Sequence, residues 1–235
     1  MKTILLTLFL SSLFISSTFA QNEGDEEWTE IPGRLRLVSV GNANNIWGIG
    51  LNFGVWHWNG TKFQLKKGIL QSISVGKDGE VWGVGLSGGV HKWTGDKWQK
   101  VPGLLRQISV GDANNIWGVN KGNAIWKREG TTWKKVIGKA NWISVGHDGA
   151  VWGTRVDATV WKWTGQKWVK QPGELKKVIV KSATEIWGLN FHNKPVKWNG
   201  AGWDVKHEGS AEDISVGSDG VMWGVKANGK IYKIE

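Results

Sequence analysis

The chain contains no cysteine, which excludes a disulfide framework, thiolate metal centres, iron–sulfur clusters and a cysteine nucleophile. Proline numbers four and tyrosine one in 235 residues, so collagen-like and proline-rich spacer architectures are excluded as well. Beyond the first twenty residues no apolar run approaches the length that spans a bilayer as a helix. No window carries a ten-residue apolar stripe at helical period, which argues against an α-helical scaffold. Acidic residues are also in deficit: 20 Asp and Glu stand against 30 Lys and Arg, for a net charge of +10. What is abundant is glycine, at 34, and tryptophan, at 19. With 40% hydrophobic and 21% charged residues the chain can bury a core, unlike a disordered one.

Residues 1–20 have the parts of a secretory signal peptide: Lys2, an apolar run from Ile4 to Leu10, and small residues up to Ala20. Cleavage after Ala20 predicts a secreted, extracellular protein in which residues 21–235 form one domain. A chain of this size can build enough core to stand without disulfides.

The rest of the chain repeats itself. Ser39-Val40-Gly41 with Trp47-Gly48 recurs at Ser74 and Trp82, Ser109 and Trp117, Ser144 and Trp152, and Ser215 and Trp223. Ile179-Val180-Lys181 with Trp187 is a degenerate copy, and the tryptophan spacings are 35, 35, 35, 35 and 36. A second slot holds Trp58, Trp93, Arg128, Trp163, Trp198 and Ile234, and a third holds Phe63, Trp98, Trp133, Trp168 and Trp203. The sixth copy ends before its third slot. Trp28-Thr29-Glu30-Ile31-Pro32-Gly33 supplies the missing piece, because it matches Trp98-Gln99-Lys100-Val101-Pro102-Gly103 in type and spacing.

Inside each unit, short β-branched and aromatic runs such as Leu105 to Val110, Ile116 to Val119, Ala124 to Lys127 and Thr132 to Val136 alternate with turn residues. Asp78-Gly79, Asp148-Gly149 and Asp219-Gly220 read as tight two-residue hairpins, in which both residues take positive φ. Four strands per repeat, six repeats and a completing strand from the opposite end predict an all-β, six-bladed β-propeller. Eighteen of the 19 tryptophans fall in repeat slots and are expected in the core. Trp142 does not; its equivalents are Leu37, Ser72, Gln107, Lys177 and Asp213, mostly polar, so it is expected to be exposed.

Catalytic and metal chemistry find little purchase. The histidines His57, His91, His147, His192 and His207 occupy different slots, and Gly85-Leu86-Ser87-Gly88-Gly89 fits a nucleophile-elbow pattern but falls between two antiparallel strands. Asp78, Asp148 and Asp219 are explained by their turns and lack a second carboxylate at ligand spacing. The expectation is therefore a protein that is not an enzyme and has no cofactor and no metal. One N-glycosylation sequon, Asn59-Gly60-Thr61, occupies a turn slot. Positive charge at Lys66-Lys67, Lys134-Lys135, Lys176-Lys177, Lys162, Lys167 and Lys170 suits sulfated or phosphorylated glycans or bacterial envelope lipids, not nucleic acid. The alternative is that these lysines are solvated and block edge-to-edge aggregation.

The unit of Ile/Val-Ser-Val-Gly, Val/Ile-Trp-Gly-Val, an Ile-x-Lys segment, a glycine turn and a further tryptophan resembles the tectonin repeat over residues 28–235. That group includes fish-egg lectins, a horseshoe-crab tachylectin that binds lipopolysaccharide, and fungal and slime-mould tectonins. The resemblance implies a lectin of innate defence or agglutination with multivalent sites for N-acetylglucosamine-type or methylated sugars on microbial surfaces, lipopolysaccharide included. The alternative is a basic extracellular propeller that binds a protein or an acidic polysaccharide without neutral-sugar specificity.

The most varied aromatic slot lies in the third strand: Trp56, His91, Trp126, Trp161, Val196 and Tyr232. It stands a few residues past a polar loop, and sugars are bound by apolar walls with a few placed polar groups. Candidate carbohydrate contacts are therefore Trp56 with Asn52, Trp126 with Asn120 and Asn123, Trp161 with Asp157, and Tyr232 with Asn228. The competing reading is that Trp56 shares a sheet face with Trp58 and that the slot is core.

Overall fold

The structure, a computed structural model, describes residues 28–207 and 209–234. The signal-peptide reading lies outside the described residues. Twenty-three strands form six four-stranded antiparallel blades. Blade 1 comprises β2 (Leu37–Asn42), β3 (Asn45–Ile49), β4 (Gly54–Trp58) and the first half of β5 (Phe63–Val75). The second half of β5 opens blade 2, followed by β6 (Val81–Gly85), β7 (Gly89–Trp93) and β8 (Trp98–Leu104). Blade 3 is β9 (Gln107–Asp112), β10 (Asn115–Val119), β11 (Ala124–Glu129) and β12 (Thr132–Lys139). Blade 4 is β13 (Trp142–Val145), β14 (Val151–Thr154), β15 (Thr159–Trp163) and β16 (Trp168–Glu174). Blade 5 is β17 (Lys177–Ser182), β18 (Glu185–Leu189), β19 (Pro195–Trp198) and β20 (Trp203–Val205). Blade 6 is β21 (Asp213–Val216), β22 (Met222–Val225) and β23 (Ile231–Ile234), completed by β1 (Trp28–Ile31). The last pairing runs Trp28 opposite Ile234 to Ile31 opposite Ile231, which closes the ring as the split repeat predicts.

The apolar core is divided into six clusters, one at each junction between blades. Trp47 packs on Ile73, Val75 and Val81 of the next blade. Trp82, Trp117, Trp152, Trp187 and Trp223 do the same around the ring, the last against Val38, Val40 and Ile46 of blade 1. Trp47, Trp152 and Trp223 each meet aromatic residues from both the third and the fourth strand of the following blade. Trp47 lies 5.4 Å from Trp93 and 6.2 Å from Trp98 between ring centroids, and Trp223 lies 5.2 Å from Trp58 and 5.9 Å from Phe63. At these separations tilted aromatic pairs add about 0.5–1.5 kcal/mol each beyond burial. The fourth-strand indoles also reach back one blade: Trp98, Trp133, Trp168 and Trp203 donate to the carbonyls of Lys67, Pro102, Ile137 and Pro172 at 2.8–2.9 Å. The residue after each of these carbonyls is a glycine at positive φ, and at Gly103 a Cβ would sit 2.7 Å from the indole nitrogen of Trp133. Only glycine admits that approach.

Nearer the axis the repeated serine acquires its explanation. The hydroxyls of Ser39, Ser74, Ser109, Ser144 and Ser215 accept from the amides of Val75, Val110, Val145, Val180 and Val40, each on the next blade, at 2.9–3.0 Å. Ile179 breaks this series. There the ion pair of Lys177 with Asp213, at 3.1 Å, ties blade 5 to blade 6.

Two sequence expectations need correction. The Asp-Gly turns are not two-residue hairpins with two positive φ values. Only Gly79, Gly149 and Gly220 take positive φ, near 90°, and Gly76 N–H closes on the carbonyl of Glu80 across a three-residue loop, the geometry of a turn ending in a glycine bulge. This leaves each aspartate free to point sideways. Asp78, Asp148 and Asp219 accept from the amides of Ala113, Ala183 and Ala43 of the next blade, all at 2.7 Å. The blades thus alternate, and the joint between blades 6 and 1 that closes the ring is one of the three so reinforced. Trp142, expected to be exposed, is half-buried. Its indole donates to the Val178 carbonyl at 3.1 Å and Lys177 lies 4.8 Å above the ring. Its polar equivalents bridge blades too: Gln107 bonds to the amide and carbonyl of Ile143, and Asp213 accepts from Val38 N–H at 3.0 Å.

Ser109→Ala leaves the buried Val145 amide without its partner, so unfolding free energy should fall by about 1–3 kcal/mol, read by urea denaturation. Deleting residues 21–33 removes β1 and exposes the last blade's edge; a single cooperative melt should give way to a broad one in calorimetry.

Candidate functional site

Loops between second and third strands share one face of the disc with the linkers between blades. A backbone bond repeated six times fixes them together: the amides of Leu35, Leu70, Leu105, Ala140, Leu175 and Ala211 donate to Gly229, Phe53, Gly88, Asn123, Ala158 and Asn193. Each linker therefore seats on the loop of the blade it leaves, and between blades 3 and 4 a cleft opens between the outer strand of blade 3 and the loop of blade 4.

The candidate polar residues lie on this face, with the oxygens of Asn52, Asn120, Asp157 and Asn228 engaged in their own loops and that of Asn123 by a linker arginine. Asn52 Oδ1 accepts from Gly54 N–H at 3.2 Å and Asn228 Oδ1 from Lys230 N–H at 3.0 Å. Asn120 Oδ1 accepts from both Gly122 and Ala124, at 3.0 and 2.9 Å. Asn123, held at φ 64°, accepts from the Arg106 guanidinium at 2.9 Å. Asp157 accepts from the Thr159 hydroxyl at 2.7 Å and amide at 3.2 Å, and that hydroxyl bond holds the carboxyl below the usual aspartate range.

The aromatic candidates differ among themselves. Trp56 is half-buried against the cluster between blades 6 and 1. Trp126 packs between blades 2 and 3, its indole nitrogen buried with no partner. Tyr232 is buried, donates to Glu30 at 3.3 Å and lies under Lys226 at 4.2 Å. Trp161 donates to Thr159 Oγ1 at 2.8 Å and lies under the Arg155 guanidinium, 3.6 Å from the ring centroid. Structure thus brings Asp157, Thr159, Trp161 and Arg155 into one connected group and keeps the other three sets at separate blade junctions.

That group borders a cleft of about 1010 Å³ between blades 3 and 4. Val136, Ile137 and Val156 form apolar walls, while Lys135, Lys139, Arg155 and Asp157 supply charge of both signs. Ile137 is 73% and Val156 74% exposed, a high degree for aliphatic side chains facing each other across a cleft. Sequence reasoning passed over Arg155, Ile137, Lys139 and Val156. The available signal was the tip of this loop, where Leu51, Leu86, Val156 and Phe191 place apolar residues that water would otherwise disfavour.

Of the basic pairs, Lys67, Lys134, Lys135, Lys167 and Lys170 are exposed near or on outer strands. Lys176 and Lys177 instead bind Glu212 and Asp213 across a junction. No group of acidic or histidine residues able to hold a metal occurs among the described residues. The elbow-like segment from Gly85 to Gly89 links β6 and β7 as a hairpin loop. The sequon's Asn59 is exposed, and its Oδ1 accepts from the amides of Thr61 and Lys62.

A family model described as the tectonin domain matches residues 14–128 and 120–199. The chain belongs to the tectonin family. Tectonin propellers are lectin-like, and their repeats account for the slots described above. No curated protein matches the chain in sequence. Among solved structures, YCF48 from Cyanidioschyzon merolae superposes with a TM-score of 0.60 at 13% identity, covering 88% of this chain and 98% of that one. YCF48 bound to D1 peptide gives 0.57 at 15% identity, covering 91% and 82%. The WD40 β-propeller domain of Doa1 gives 0.61 at 8% identity, covering 89% and 96%. At such identities the likeness concerns the fold alone.

The Thr159 to Asp157 bond stabilises the loop only while the carboxyl is ionised. Since the folded pKa lies below the ordinary value of about 3.9, this stabilisation is present above that value and lost as pH falls through the lower, folded one. The Thr159 amide shift in NMR should stay constant from pH 8 to about 4 and move only below that range.

Proposed function

We propose that this tectonin propeller is a secreted lectin and that its principal glycan site is the cleft between blades 3 and 4. The observation that carries the reading is the composition of that cleft: exposed aliphatic walls, a guanidinium stacked on an indole, and an ionised carboxylate fixed by its own loop. Sugar rings present C–H faces to apolar surface and hydroxyls to charged donors and acceptors, so such a cleft answers both halves of their chemistry. Arg155 donates, Asp157 accepts, and Lys135 and Lys139 add affinity for glycans carrying phosphate or carboxylate, as lipopolysaccharide does. Microbial surface glycans with N-acetylglucosamine-type or methylated sugars are the ligand class this reading assigns. Where equivalent faces of other blades bind more weakly, display of the glycan on a surface multiplies them.

A glycan array at two salt concentrations tests this. Neutral oligosaccharides should bind at both, and Asp157→Ala or Arg155→Ala should weaken them while the protein still melts as one cooperative unit, lowered by no more than the lost loop bonds, about 1 kcal/mol each. Binding confined to sulfated or phosphorylated chains and lost in high salt would instead assign function to the exposed outer-strand lysines, and the cleft reading would fail.

A further inference from the structure

The junction between blades 5 and 6 departs from the other five on the face opposite the loops. Two kinds of bridge join neighbouring blades toward that face, the serine hydroxyls and the aspartates of the Asp-Gly turns. Junctions 1–2 and 3–4 have the serine bridge, from Ser39 and Ser109. Junctions 2–3, 4–5 and 6–1 have both bridges. Between blades 5 and 6 neither can form, because Ile179 stands in the serine slot and Ala183 in the aspartate slot. A third exchange accompanies these. Lys181 replaces a glycine found in every other blade, at Gly41, Gly76, Gly111, Gly146 and Gly217, where a Cβ would lie 2.3–3.0 Å from an atom of the next blade. The Lys177–Asp213 pair holds this junction nearer the loops. On the turn side, with no bridge and a side chain in place of a hydrogen, a cavity of about 360 Å³ opens, lined by Trp187, Val221, Met222 and Ile234. That volume lies within the range of small-molecule sites, about 300–1,000 Å³.

Its charges are unevenly matched. Lys181 Nζ donates to Glu185 Oε2 at 2.7 Å and lies 3.4 Å from where a Cβ on Gly220 would stand, so it spans the junction. Lys197 Nζ pairs with Glu185 Oε1 at 3.4 Å and sits 4.8 Å from the Trp187 ring centroid; Lys233 lines the blade 6 side. Burial raises the Glu185 carboxyl, but the bonds from Lys181 and Trp187 outweigh it and hold the group below the usual range, so it is ionised at neutral pH. In blade 2 the equivalent pair, Lys92 and Glu80 at 2.8 Å, is one to one beside a glycine. In blade 5 two ammonium groups share one carboxylate, which leaves one positive charge at the cavity. Asp219, the other acidic residue there, accepts from the amides of Ala43 and Val221. We infer that this cavity binds a small organic phosphate or sulfate ester, its tetrahedral oxyanion between Lys181 and Lys197 and its organic part against Val221, Met222 and Ile234. Ammonium groups on flexible stems act as point charges and suit a tetrahedral anion, whereas a flat carboxylate favours the guanidinium fork; among the described residues no arginine lines the cavity. The site lies on the face opposite the cleft between blades 3 and 4 and is independent of the glycan reading.

The test titrates phenyl phosphate and phenyl sulfate into the protein, with phenol as the uncharged control, at constant ionic strength so that screening does not mimic binding. The Trp187 indole N–H, which donates to Glu185 at 3.2 Å, is the NMR reporter. At least one ester should give a saturable shift, the tighter one naming the natural group, and phenol should give none. Lys181→Met keeps the stem and removes the charge; it and Lys197→Gln should each weaken binding by roughly tenfold, the loss of one hydrogen bond to a charged group. Glu185→Gln removes the carboxylate that competes for both ammonium groups yet keeps an acceptor for Trp187. It should tighten binding by a similar factor, a sign that damage to the fold would not produce. An absent or non-saturating shift with both esters, equal affinity in Lys181→Met, or weaker binding in Glu185→Gln overturns the site.

Discussion

The structure depends on one contact, the insertion of each blade's second-strand tryptophan into the next blade. No blade has an interior of its own, since a four-stranded sheet cannot bury both faces. Stability is created at the junctions, where one indole meets aromatic side chains of two neighbouring strands. The fourth-strand indole then bonds backward, and glycine follows the carbonyl it seeks because a Cβ would collide with it. Tryptophan, glycine and serine recur at fixed intervals for this single reason: each belongs to a junction, and the junction is copied six times. Closing the ring is what makes the copies mutually dependent, so the strand at Trp28–Ile31 matters out of proportion to its four residues.

The repeat made blade number, strand order and closure legible, because a uniform junction imposes a uniform slot. It did not reveal what a slot does when the contact lies one blade away. The aspartates at 78, 148 and 219 look locally complete as turn residues, yet their second oxygen staples the following blade. Trp142 was misread for the same reason. A slot holding Ser72, Gln107, Lys177 and Asp213 looks solvent-facing, whereas these polar groups reach across junctions and Trp142 does so through its indole N–H. Polar character along an inner strand of a propeller signals a bridge as readily as it signals water.

The site was legible only in outline. Variation in the third-strand slot pointed to the face that carries the cleft and, at Trp161 with Asp157, to its border. It could not distinguish an asparagine that holds a loop from one that offers its oxygen outward; Asn120 bonds to two amides of its own loop. Nor could it show that Arg155 stacks on Trp161, since that contact depends on how far the loop folds back over the strand.

A ring of equal junctions carries its chemistry in the departures from equality, and the departures differ in kind. Arg128 replaces a tryptophan between blades 2 and 3, and its guanidinium sits 5.0 Å from Trp82 and 5.7 Å from Trp133, filling the space in an indole's stead. Ile179 removes a serine bridge between blades 5 and 6, where the pairs Lys176–Glu212 and Lys177–Asp213 replace it. The second exchange restores a tie between blades; the first keeps the volume and leaves Arg128 Nη1 buried without a hydrogen-bond partner. Between blades 3 and 4 the exchanges are of another kind: Ala140 stands where a leucine covers the second-strand glycine in four other blades, with its Cβ and Trp168 at 3.7 and 3.9 Å from where a Cβ on Gly153 would lie, and Thr154 brings a buried hydroxyl into a slot that is aliphatic in the other blades.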